Sequence, residues 1–426
     1  MAAPALVSLP GFRDLTPRDC ARRNHVFAAW RAAAGRAGFA EWEGPTLEST
    51  DLYRKKSGDE IVGQLFHFVD KGEREVALRP ELTPTLARVV AARHRDFKKP
   101  LKWFQIGSCF RYEAPQKGRL REFYQWNADI IGEESTAADA ELIALGIDAL
   151  RVLGFTADDV AVRLSDRRIW NRFVEAAGLD PAQTTAFLQV IDKWEREKPE
   201  ALDAKLRALG TTHAAVAGFM ATAREADGPL APVLADLEAR GLGGFVRLDP
   251  GIVRGLAYYT GTVFEFFSLR PGARAIAGGG RYDQLVGTLS DGAVVLPAVG
   301  LGMGDVVLGN LIDETPVPCA RMESALAEAS ALDAWIVVAE ETRRADALRL
   351  IQSLRENGRR VDFTLGPAKV GKQFQAAEAA GARTAVVVGT EWPLLKVKHL
   401  ARREEVTTDE AGLAATLDQW LAAPHS

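Results

Sequence analysis

Hydrophobic and polar positions change period several times along the chain, and each change predicts an element. Pro10-Gly11 reads as a turn. Thr16 before Pro17 predicts a capped helix running to about Gly35, with Val26, Phe27 and Trp30 among its apolar positions. Gly38 ends it, Phe39 to Trp42 reads as a strand, and Pro45 follows. Arg54 to Gly63 is polar and predicts a mobile segment. Phe66 to Val69 and Val76 to Leu78 read as short strands around the turn Asp70-Lys71-Gly72. Thr83 before Pro84 predicts the cap of a helix through Leu86, Val89 and Val90, with Glu81 on the turn before it. Ser135 to Leu153 is a helix stopped by Gly154. Residues 155 to about 245 have helical spacing and predict a small, mostly helical insertion. Strands return at Phe245 to Leu248 and Thr262 to Phe267, and the apolar, glycine-rich stretch Pro297 to Leu308 passes into a helix. Asp313 to Pro318 is linker-like. Trp335 to Ala339, Val361 to Leu365 and Thr384 to Val388 alternate with helices at Glu341 to Asn357 and Gln373 to Ala380, which predicts a small α/β unit with parallel strands. That unit has no nucleophile–base pairing and no phosphate loop, so it reads as a binding module.

The densest chemistry lies in Gly107 to Asp129. A small and apolar start is followed by Arg111, Lys117, Arg119 and Arg121, broken by Pro115 and Gly118, and then by Phe123, Tyr124, Trp126 and Asp129. A strand, a basic loop and a second strand would put guanidinium groups beside an aromatic face and a carboxylate. Arginine forks grip phosphate oxygens and a ring stacks on a base, so a nucleotide suits this hairpin; a solvated basic loop is the alternative. Glu81 is either a functional acid on a constrained turn or a surface acid at a helix start. Two more stretches stand out. Gly251 to Gly261 carries Arg254 between glycines and the pair Tyr258-Tyr259. Ala275 to Asp283, AIAGGGRYD, has three glycines that pass under a ligand or form a turn. Neither matches a Walker loop or a dinucleotide fingerprint.

The length, 426 residues, predicts two or three domains, and 47% hydrophobic residues supply ample core. Net charge is −4, so any nucleic acid must be bound through local patches. Cys20, Cys109 and Cys319 are scattered, which excludes a zinc-type spacing and fits a reducing compartment. The N-terminal stretch lacks the pattern of a signal peptide. No apolar run approaches the roughly 20 residues that span a bilayer. The expectation is a cytoplasmic protein without a membrane partner.

Taken in order, these clusters resemble class II histidyl-tRNA synthetases. Phe110-Arg111-Tyr112-Glu113, Pro115 to Arg119 and Arg121 to Gln125 are similar to the family's motif 2. Leu78-Arg79-Pro80-Glu81 is similar to its amino-acid-binding turn. Arg254-Gly255-Leu256 with Tyr258 to Gly261, and Ala277 to Asp283, are similar to its two histidine-specific motifs. The helix, strand and Pro45 near the start are similar to motif 1, the dimer element. The C-terminal unit, with Lys372-Gln373-Phe374, is similar to its anticodon-binding domain.

The resemblance implies an α+β catalytic domain over 1–325, an antiparallel sheet flanked by helices, with the insertion at about 155–245, and an α/β anticodon-binding domain over 326–426. It implies activation of L-histidine with ATP to histidyl-adenylate, transfer to tRNA(His), Mg2+ bound with the nucleotide, no dedicated metal site, and a homodimer. Glu81, helped by Thr83, would bind the α-amino group. Arg111 would hold the carboxylate and the α-phosphate, and Arg254 the α-phosphate; these two are the expected catalytic residues. Gln125, Asp129, Tyr258 and Tyr259 complete the histidine set with Arg254. Glu113, Arg119 (to the γ-phosphate), Phe123 (under adenine) and Arg281 join Arg111 in the ATP set.

Three positions depart from the family pattern. Ala257 replaces an acid, Ala114 replaces a motif 2 loop arginine, and Val307 stands where motif 3 ends in an arginine over adenine. Arg281 is the candidate replacement cation, its alternative being a structural pair with an acid such as Asp283. A second reading is a non-catalytic paralogue, such as the regulatory subunit of ATP phosphoribosyltransferase; a third, an amino-acid sensor, would need an effector domain.

Overall fold

The computed structural model describes all residues except 1–6, 115, 117, 224–227, 254–257, 271, 273 and 423–426. The chain divides into two units, residues 1–322 and 323–426.

In the first unit the strands are β1 (Ala40–Glu41), β2 (Leu47–Ser49), β3 (His67–Val69), β4 (Glu75–Leu78), β5 (Leu101–Phe110), β6 (Glu122–Ile131), β7 (Val160–Asp166), β8 (Val246–Leu248), β9 (Thr262–Ser268), β10 (Ala275–Arg281) and β11 (Ala298–Gly304). Eight of them form one sheet in the order β1-β5-β6-β11-β10-β9-β7-β8. Its end pairs, β1–β5 and β7–β8, are parallel and the rest are antiparallel. β2, β4 and β3 make a small antiparallel sheet.

The hairpin expected around the basic loop is present: β5 and β6 pair from Leu101↔Ile131 to Phe110↔Glu122. Side chains alternate across a strand, so β6 sends Tyr124, Trp126, Ala128 and Ile130 to one face and Phe123, Gln125, Asn127 and Asp129 to the other. The first face is core. Trp126 is fully buried and stacks on Trp30 of the helix Pro17–Arg36, with centroids 5.9 Å apart. The helix Ala137–Leu153 covers the same face; it carries Gly146 because a Cβ there would meet Phe266 Cζ of β9 at 2.4 Å. The second face is left for the site.

Several local expectations need correction. The polar stretch read as mobile is a helix, Thr50–Ser57, followed by a 3-10 turn, Asp59–Gln64. Its apolar anchors Leu52 and Tyr53 join a small core with Leu65 and Ala77, and its charges are paired, Arg54 with Glu75 at 2.6 Å and Lys55 with Asp291 at 2.6 Å. Thr83 does not cap its helix; it is the first helical residue, and its hydroxyl accepts from Asn127 Nδ2 at 2.9 Å. The insertion is not helical from residue 155, because Val160–Asp166 is a strand of the main sheet. Its helices lie between Arg167 and Ala239, and those up to Thr222 enclose a core of their own around Trp170, Phe173 and Phe187. The stretch Ala275–Arg281 is a strand rather than a turn. Asp313 to Pro318 lies across two helices, Asp305–Glu314 and Pro316–Ser330, since Pro316 occupies a first helical position, where its missing N–H costs nothing.

In the second unit β12 (Leu332–Val338), β13 (Val361–Phe363) and β14 (Ala382–Val388) are parallel, as the alternation predicted. Two antiparallel strands, β15 (Leu395–His399) and β16 (Glu404–Thr408), extend the sheet to the order β13-β12-β14-β15-β16. Buried Gln373 closes the end of β12, accepting from Val338 N at 2.9 Å and donating to Val338 O at 2.8 Å.

Candidate active site

The site is built on a floor of glycines. Gln125, Asn127 and Asp129 pair across to Gly304, Gly302 and Gly300 of β11, and Gly302 and Gly300 pair in turn with Gly278 and Gly280 of β10. Cross-strand partners share a face, so these glycines lie beside the three polar side chains. A Cβ on Gly300 would meet Asp129 Oδ1 at 2.3 Å, and one on Gly302 would meet Gln125 Nε2 at 2.3 Å. Of the glycines in AIAGGGRYD, Gly280 shares this face, where a Cβ would meet Tyr259 Cδ1 at 3.2 Å, whereas Gly279 lies on the other face against Phe264.

At the deep end Asp129 is 1% exposed, and Tyr282 donates its hydroxyl to Oδ1 at 2.6 Å. Oδ2 is buried and has no hydrogen-bond partner among the described residues. Burial raises the Asp129 carboxyl to about 7, the Tyr282 bond pulling the other way. Burial, and then the neighbouring Asp129, push the Tyr282 phenol well above its usual value, so it stays a donor. The Tyr258 ring lies 6.0 Å from Tyr282 and 4.5 Å from Tyr259. On the other side of Tyr258 sits Lys56, its ammonium 4.2 Å from the ring centroid and ion-paired with Glu81. Glu81, Lys56, Tyr258, Tyr282 and Asp129 thus form one connected line.

Beside this pocket opens a cleft of about 800 Å³, lined by Arg111, Arg119, Phe123 and Gln125 among others, with Val307 on its wall. The Arg111 guanidinium lies 5.0 Å from the Phe123 ring centroid and its Nε donates to Pro80 O at 3.1 Å. Arg119 is paired with Glu113 at 2.6 Å. Burial pushes the Cys109 thiol up to about 12, so it stays protonated beside Gln125 Oε1. The cleft is cationic and aromatic; the cluster beside it is polar and contains the carboxylates of Glu81 and Asp129. Together they suit a phosphate-bearing ligand next to a small zwitterion.

Arg281 is a correction. It is 6% exposed and ties the end of β10 to the start of the helix Ala137–Leu153. Nε and one terminal nitrogen donate to Asp139, the same nitrogen donates to Ser135 O, and the other to Glu133 O and Asp283. All five of its N–H groups are engaged, so none is left for a nucleotide. Its main partner is Asp139, fully buried, rather than Asp283. Arg254 lies outside the described residues. Two members of the pocket escaped sequence reading. Tyr282 was hidden as the residue after Arg281 in the same motif. Lys56 was hidden in a polar stretch whose helix was not recognised.

A predominantly antiparallel sheet bearing such a pocket and cleft, in a chain with a second α/β unit, is the architecture of a class II aminoacyl-tRNA synthetase. The chain belongs to the histidyl-tRNA synthetase family: the family model described as Histidyl-tRNA synthetase matches residues 11–304, and the Anticodon binding domain model matches residues 333–420. It is 43% identical over 424 residues to the histidine–tRNA ligase of Opitutus terrae, with 94% of each chain covered. It is 36% identical to the chloroplastic/mitochondrial histidine–tRNA ligase of Arabidopsis thaliana, over 93% of this chain and 83% of the relative. The crystal structure of histidyl-tRNA synthetase from a Nostoc species has the same fold, with a TM-score of 0.78 at 23% identity over 98% of this chain and 100% of that one.

Proposed function

We propose that the pocket holds L-histidine and the cleft holds ATP, and that the chain joins them as histidyl-adenylate before charging tRNA(His). The observation that carries this is Oδ2 of buried Asp129, unpartnered among the described residues, which offers an acceptor to an imidazole N–H. At the other end Glu81 offers a carboxylate to the α-ammonium group, helped by Thr83, whose hydroxyl accepts from Asn127. Tyr258 and Tyr259 flank the imidazole, and Gln125 helps to place the amino acid. Arg111, between pocket and cleft, takes the histidine carboxylate and the α-phosphate, with Arg254 as its catalytic companion. Phe123 lies under adenine, and Arg119, released from Glu113, meets the γ-phosphate.

The chemistry follows from these positions. A histidine carboxylate oxygen attacks the α-phosphorus, an O–P bond forms, and the bond to the leaving pyrophosphate breaks. The nucleophile is already ionised, so no general base is needed; bringing two anions together needs aimed cations and fixed geometry. In the second step a terminal ribose hydroxyl of the tRNA attacks the activated carbonyl and AMP leaves. Mg2+ enters this proposal on the nucleotide's own phosphates, which supply hard oxygen ligands. Among the described residues no three His, Cys, Asp or Glu side chains stand together as a metal site. Residues 1–325 would carry the catalysis and 326–426 would read the anticodon. A homodimer through the helix Pro17–Arg36 and the strand near Pro45, working in the cytoplasm, belongs to the same proposal; among the described residues no helix is long and apolar enough to cross a membrane. The non-catalytic paralogue is not favoured: the chain matches the anticodon-binding model, and it keeps the buried Tyr282–Asp129 pair on which this reading rests.

The test is ATP–pyrophosphate exchange with each amino acid in turn. Exchange that depends on histidine and on no other amino acid is expected. Exchange absent with purified, folded protein, or equally strong with another amino acid, would overturn the proposal.

A further inference from the structure

Five described arginines line the cleft: Arg111, Arg119, Arg163, Arg196 and Arg274. Three of them face carboxylates, Arg119 with Glu113 at 2.6 Å, Arg163 with Glu195 at 3.0 Å and Arg196 with Asp192 at 3.9 Å. Among the described residues, Arg111 and Arg274 have only neutral partners. Arg111 donates to a backbone carbonyl, and Arg274 donates to the side-chain amide of Gln116 at 3.0 Å. An amide oxygen orients a guanidinium without neutralising it, so Arg274 keeps its full charge for a ligand. Its position is distinctive. A Cβ built on Gly118 would meet Arg274 Cδ and Val307 Cγ2, each at 3.6 Å. Arg274 therefore reaches the cleft wall at the place where Val307 presents only methyl groups, and where Gly118 adds no side chain. It comes from the segment just before β10, a different element from Val307, which stands in the helix Asp305–Glu314.

Resting on the functional reading above, we propose that Arg274 is a nucleotide-binding residue that supplies the cation lacking at Val307. A guanidinium in this place can stack on a purine face or fork onto phosphate oxygens, and Gln116 presets its orientation. The charge arrives from β10 rather than from the helix after β11, so the two positions form one functional unit.

The experiment is histidine-dependent pyrophosphate exchange with Arg274→Ala, Val307→Arg and the double variant. Arg274 is exposed, so its replacement should leave the melting temperature unchanged. Arg274→Ala is expected to raise the KM for ATP about tenfold and to leave the KM for histidine within about twofold. Val307→Arg in that background is expected to recover at least about threefold of the loss. An ATP KM that stays within about twofold of wild type overturns the assignment, and so does an equal rise in both KM values, which would mark a structural role. Wild-type protein without histidine-dependent exchange would overturn the functional reading first, and this inference with it.

Discussion

The Tyr282 hydroxyl donates to Asp129 Oδ1 across 2.6 Å, with both side chains 1% exposed. This bond holds one carboxylate oxygen, and the other has no partner among the described residues. A hydrogen bond to a charged group contributes roughly 1.5–3 kcal/mol. Tyr282→Phe is therefore expected to raise the KM for histidine about 10- to 100-fold and leave the KM for ATP nearly unchanged. Steady-state exchange kinetics with each substrate varied in turn decide this; parallel rises in both values would contradict it.

The same carboxyl sets a pH dependence. Its folded value, about 7, lies above the ordinary 3.8, because burial disfavours the charged form. Between these values the folded state holds a proton that the unfolded state has released. The resulting stabilisation is fully present below about pH 4 and is lost as pH rises through about 7. Melting temperature should then fall from pH 5 to pH 8 more steeply in wild type than in Asp129→Asn, by about 3 °C or more. Equal slopes would show that Asp129 does not titrate in this window.

Lys56 and Glu81 test whether binding and stability can be separated. Lys56 is nearly buried, its side chain 5% exposed, and Glu81 neutralises it. Glu81→Gln leaves that ammonium without a counter-charge, and removing one partner of a buried pair costs about 3–5 kcal/mol. The variant should melt earlier and bind histidine poorly. Adding Lys56→Met should restore much of the melting temperature without restoring histidine binding. Recovery of both in the double variant would show that Glu81 acts only as Lys56's partner.

Arg281 offers a contrast. Arg281→Ala would strand Asp139, which is fully buried, and cut the tie between β10 and the helix Ala137–Leu153. A loss of about 3–5 kcal/mol in denaturant unfolding is expected, with the ATP KM of the remaining folded protein within about twofold of wild type. Unchanged stability would remove the structural role assigned to it.

How much of this was legible beforehand depended on range. The β5–β6 hairpin, the capped first helix and the alternating second unit follow from local period and turn residues, and the structure has them. Glu81 could be singled out because it sits on a constrained turn, and Asp129 because an aromatic run ends on that acid. Position in space was not legible. Arg281 and Arg274 both flank the glycines of β10, and nothing in the sequence says that one meets Asp139 while the other enters the cleft. Lys56 lay in a run of charged residues, where the hydrophobic pattern is weakest. The strand Val160–Asp166 was missed because its neighbours along the chain are helical while its pairing partners are about a hundred residues away.

The glycine floor bears on how natural variants of this chain are judged. An alanine at Gly300 or Gly302 looks conservative, being small, apolar and uncharged. It would nevertheless drive a methyl group into the space held by Asp129 or Gln125, at 2.3 Å in either case. The shape of the cavity is written in carbon atoms that are absent, so a variant score that weighs only the polar side chains would pass a change that fills the pocket from below.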